Sequence, residues 1–108
     1  MSRTEKIKKL AKNNGYSTTR NLVIEEMSEL SKALMKYERI IHLEQNKDEA
    51  FLEYFFKKQD LLYEAKISIE EEISDVLITV YELIEFFNEG NIEKFTEYKI
   101  ERALKNES

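Results

Sequence analysis

Five carboxylates stand out by type and spacing. Glu25, Glu26 and Glu29 form a Glu-Glu-x-x-Glu run, and Glu72 and Asp75 form a later Glu-x-x-Asp pair. On a helix, residues three or four apart stand above one another on one face. Glu29 therefore neighbours both Glu25 and Glu26, and Glu72 neighbours Asp75. Like charges so placed repel, and a divalent cation would compensate them. Two antiparallel helices could bring Glu26, Glu29, Glu72 and Asp75 together. Four carboxylates offer the hard oxygen ligands that suit Mg²⁺, with Mn²⁺ as a substitute. An iron site built from paired Glu-x-x-His motifs is not supported, because no such motif occurs. A bland reading stands beside this one. About a third of the residues are charged, 36%, so acidic pairs at helical spacing also arise by chance. Glu70-Glu71-Glu72 also falls where a first helical turn would favour acids.

The elements that must carry these acids read as helices. There are no prolines and only two glycines, too little punctuation for a sheet protein. Residues 3–13 suggest a short first helix, stopped by Asn13-Asn14-Gly15. Ser17 or Thr18 would cap a second helix from about Thr19 to Glu44. Its stripe would be Leu22, Met27, Leu30, Leu34, Tyr37 and Ile41, with the acids at its edge. Gln45-Asn46-Lys47-Asp48 reads as a turn, with Asp48 as a cap. Residues 49–66 carry Phe51, Tyr54, Phe55, Phe56 and Tyr63 at helical separations, a surplus that suits either a subunit interface or a ligand pocket. Ser68 and Glu71 fit a capping box, so a break is expected near Lys66-Ile67-Ser68. A helix over 69–88 would follow, ended by Asn88-Glu89-Gly90-Asn91, and a last helix over 92–105. The expectation is one all-α domain over residues 1–108, a four- to five-helix bundle.

Composition narrows the function further. Cysteine is absent, and His42 is the single histidine. Thiolate chemistry, disulfides and multi-histidine zinc sites within one chain are thereby excluded. The net charge is −5, from 22 acidic and 17 basic residues, which argues against sequence-independent nucleic-acid binding. No apolar run approaches membrane-spanning length, and no signal-peptide core follows the N-terminus. A cytoplasmic location is expected. The apolar surplus for so small a chain points to a homodimer or homotetramer.

The segments Asn21-Leu-Val-Ile-Glu-Glu-Met-Ser-Glu-Leu30 and Glu71-Glu-Ile-Ser-Asp-Val-Leu77 resemble the two metal motifs of the all-alpha nucleoside triphosphate pyrophosphohydrolases, the MazG-like superfamily. The resemblance spans roughly residues 18–104. It implies that Glu26, Glu29, Glu72 and Asp75 bind Mg²⁺, and that Glu25 assists the metal or water. It further implies that Lys99 and Arg102 lie near the phosphates of a nucleoside triphosphate, although each also suits a solvated helix face. Asn21, Tyr16 and Tyr37 are candidates to touch base or sugar. The implied reaction is Mg²⁺-dependent cleavage of an NTP or dNTP between the α and β phosphates, giving monophosphate and pyrophosphate. Two features depart from the pattern. The separation between Glu29 and Glu72 is longer than in compact members, and Thr79 stands near where many members place asparagine. A non-enzymatic helical interaction module, or the same fold acting on another nucleotide such as phosphoribosyl-ATP, are the rival readings.

Overall fold

The computed structural model describes residues 1–107. Among them the chain forms three α-helices: α1 (Arg3–Ile41), α2 (Phe51–Ile84) and α3 (Glu89–Glu107). The all-α class agrees with the sequence; the expected four- to five-helix bundle does not. Of two expected breaks, one bends a helix without dividing it and the other does not occur, each for a physical reason.

Asn13-Asn14-Gly15 does interrupt the helical path, since Gly15 alone has φ 76° and ψ 168°. That region of backbone space is essentially open only to glycine. The chain re-enters helix at once, however, so α1 is one kinked element and not two helices with a linker. Ser17 and Thr18 lie inside it. The break expected at Lys66-Ile67-Ser68 does not occur at all. No glycine or proline interrupts this stretch, and Ala65 is buried on the face toward α1. Continuous packing outweighs the local capping-box option at Ser68.

The helix ends follow from capping. Ser2 accepts a hydrogen bond from the Glu5 amide through its Oγ at 3.1 Å, which starts α1. Asp48 does not cap α2; Ala50 holds that position with no side-chain hydrogen bond. The connection is fixed from the other side, where Tyr54 Oη donates to the Leu43 carbonyl at 2.8 Å. Residues 88–91 start α3 and do not terminate α2. Asn88 Oδ1 accepts from the Asn91 amide at 3.0 Å, so Gly90 falls in the first helical turn.

α1 and α2 pack as an antiparallel hairpin. Asn14 meets Glu82, Glu26 meets Glu72 and Leu43 meets Tyr54. The kink at Gly15 carries the first segment of α1 to the far side of α2. There Arg3 and Ile7 border a cleft with Ile73, Leu77 and Tyr81. The core is thin: Ala11, Val23, Ile40 and Ala65 are its buried apolar residues among those described. α3 contributes no buried residue. The Cα radius of gyration is 19.6 Å, whereas a compact domain of this length has about 13 Å. No described helix is long and apolar enough to cross a membrane.

Candidate metal centre

The burial pattern re-registers the two inner faces. Thr19, Val23 and Ile40 are buried on α1, while Met27 and Leu34 are exposed. Glu26 lies seven residues after Thr19 and three after Val23. It therefore sits in the line of contact with α2, not at the edge of a stripe. Glu72 is placed alike on α2, seven residues before the buried Thr79 and seven after Ala65.

Facing each other in this way, Glu26, Glu72 and Asp75 each bring a carboxylate oxygen within 4.8 Å of the others. Glu26 and Glu72 are half-buried and Asp75 is exposed. Burial pushes the Glu26 carboxyl above its ordinary value, and Asp75, Glu72, Glu25 and Glu29 push it further, in that order. Glu72 Oε2 is buried and has no hydrogen-bond partner among the described residues. An orphaned carboxylate oxygen facing two other carboxylates fits the donor set of a hard divalent cation. The cluster could hold such an ion.

The remaining site residues divide. Glu29 stands outside the three-carboxylate group, accepting from Lys32 Nζ at 3.3 Å. Both Glu29 and Glu25 still act on Glu26 through charge. Asn21 is exposed and its Oδ1 accepts from Arg20 Nε at 3.3 Å. Tyr16 packs edge-on against Phe86 and Phe87, with centroids 5.8 and 6.0 Å away, and carries the Arg20 guanidinium on its ring. Tyr37 is half-buried. Lys99 and Arg102 lie exposed on α3, the element that adds nothing to the core. Thr79 donates to the Asp75 and Val76 carbonyls at 3.1 and 3.0 Å, so its hydroxyl is spent on its own helix.

Sequence reasoning missed a part-buried polar pair at the kink. Glu82 is buried and accepts from Asn14 Nδ2 at 2.8 Å, next to the Gly15 kink. The available signal was its spacing: Glu82 lies seven residues after Asp75, two turns along one face of α2. Two clefts of about 320 and 300 Å³ lie elsewhere, one between the first segment of α1, the end of α2 and the start of α3, the other between that segment and the stretch of α2 from Glu70 to Tyr81, and neither is lined by Glu26, Glu72 or Asp75. No protein-family model, no curated protein and no solved structure matches the chain.

Proposed function

We propose that this chain is a Mg²⁺-dependent nucleoside triphosphate pyrophosphohydrolase of the MazG-like kind. The observation that carries the reading is the convergence of Glu26, Glu72 and Asp75 from two helices, with Glu72 Oε2 buried and unpartnered. The resemblance of the two acidic motifs supplies the reaction class.

In this reading Glu26, Glu72 and Asp75 hold the cation, and Glu29 joins them by releasing Lys32. Mg²⁺ held by these carboxylates would neutralise phosphate oxygens and lower the pKa of the attacking water. Glu25 or Glu29 orients that water and takes its proton. Water oxygen bonds to phosphorus as the α–β anhydride bond breaks, and pyrophosphate leaves. Lys99 and Arg102 meet the phosphates through charge-assisted hydrogen bonds, and Asn21 meets the sugar or base. The working form is a homodimer or homotetramer, and the working place the cytoplasm.

The test is a screen of canonical, deoxy and modified triphosphates with Mg²⁺ or Mn²⁺, scoring monophosphate and pyrophosphate together. The reading expects both products from at least one substrate, and none from the Asp75→Ala protein. Full activity in Asp75→Ala would remove the site assignment, and no hydrolysis of any triphosphate would remove the reaction.

A further inference from the structure

The molecule exposes more surface than a compact monomer of its mass. Its accessible area is 8858 Å², against about 6,300 Å² for a compact monomer of this mass. The excess of roughly 2,500 Å² per chain, about 5,000 Å² for two copies, lies at the upper end of what permanent homodimers bury, about 2,000–5,000 Å² in total. Part of it is an ordered stripe on α2. Leu52, Phe56 and Tyr63 are 63%, 61% and 68% exposed, and Ile67 is 39% exposed. At helical pitch these four fall within about 60° of arc. They point away from α1, because Ala65, on the opposite side of α2, is the buried residue of this half. The first segment of α1 borders the later part of α2 and its C-cap, from Glu70 to Glu85, beyond the stripe.

The spacing of the stripe selects its occupant. Steps of four, seven and four residues read the same in both chain directions. A two-fold axis beside Gln59 and Asp60 would therefore set Leu52 against Ile67 and Phe56 against Tyr63 of a second copy. Self-complementarity of one patch is what an isologous dimer requires.

We propose that residues 52–67 of α2 pack antiparallel against the same segment of a second copy of this chain. The inference deepens the oligomeric part of the proposed function by naming the partner and its surface, and it does not depend on the hydrolytic chemistry.

The cysteine-free sequence permits a direct test. Single variants Gln59→Cys, near the axis, and Ser28→Cys, exposed on α1, are treated with a short bis-maleimide. The mass of the unmodified chain is measured by sedimentation at micromolar concentration. The expected results are twice 12.9 kDa for the unmodified chain, a cross-linked dimer from Gln59→Cys and none from Ser28→Cys. Phe56→Asp should halve the mass while keeping its helical circular dichroism. A monomeric unmodified chain would overturn both the oligomer and the surface. A dimer in which Gln59→Cys cross-links no better than Ser28→Cys would overturn the surface alone. Neither result touches the pyrophosphate assay, so this inference and the hydrolase reading fail separately.

Discussion

Glu26 of α1 and Glu72 of α2 occupy the contact lines of two helices that pack on each other, and their carboxylate oxygens lie within 4.8 Å together with that of Asp75. Apolar side chains at these two positions would stabilise the hairpin. Carboxylates there cost stability in the metal-free chain, because like charges are brought together as water is removed. The arrangement makes sense when a cation completes it.

Replacing Glu26 should therefore stabilise the metal-free protein. Burial and four neighbouring acids raise the Glu26 pKa in the folded state. The sign follows from proton linkage. The folded chain holds this proton more tightly than the unfolded chain. Its contribution to stability is fully present below the ordinary carboxylate value and is lost as pH rises through the raised folded value. Thermal melts without metal should show Glu26→Gln above the unmodified chain at neutral pH, with the gap closing toward acid. Mg²⁺ should raise Tm of the unmodified chain only. A Glu26→Gln protein that melts lower at neutral pH would show that the carboxylate is already compensated.

The Asn14–Glu82 hydrogen bond joins the kink of α1 to the end of α2 across a buried carboxylate. Asn14→Ala leaves that oxygen without its donor. The expected loss is about 1–3 kcal/mol, read as a shift in the urea midpoint. An unchanged midpoint would mean that water replaces the asparagine without cost.

Gly15 bends α1 at φ 76° and ψ 168°. An added Cβ would meet no atom within 4 Å, so the penalty of Gly15→Ala is backbone strain and not collision. About 1–3 kcal/mol is expected, which corresponds to a fall in Tm of roughly 4–8 °C per kcal/mol in a small domain. If Gly15→Ala melts at or above the unmodified chain, the kink is not a fixed feature of the fold.

The helical class and the pairing of the two acidic motifs were legible in the sequence, because period and spacing record them directly. Of the four acids expected to meet, Glu26, Glu72 and Asp75 came together as facing helices predict, and Glu29 stands apart on Lys32. Their depth was not legible. Met27 and Leu34 look like core residues from spacing alone, yet they are exposed, and the contact line runs through Thr19, Val23 and Glu26. A chain with two apolar faces on one helix leaves the register ambiguous until its neighbour is known. Helix number was misread for a related reason. The capping option at Ser68 is a local signal that continuous packing on either side overrode, whereas the Asn13-Asn14-Gly15 stop did act, bending α1 at Gly15 without ending it. Glu82 escaped notice because a lone buried carboxylate has no sequence mark beyond its two-turn spacing from Asp75.

We propose that Glu26, Glu72 and Asp75 hold a divalent cation. Mn²⁺ titration followed by electron paramagnetic resonance counts bound ions directly, in the unmodified chain and in Glu72→Gln. Saturable Mn²⁺ binding that Mg²⁺ displaces is expected, weakened in Glu72→Gln by more than the 10–100-fold typical of residues that only support a ligand. Equal binding in both proteins, or no saturable binding in the unmodified chain, would contradict it.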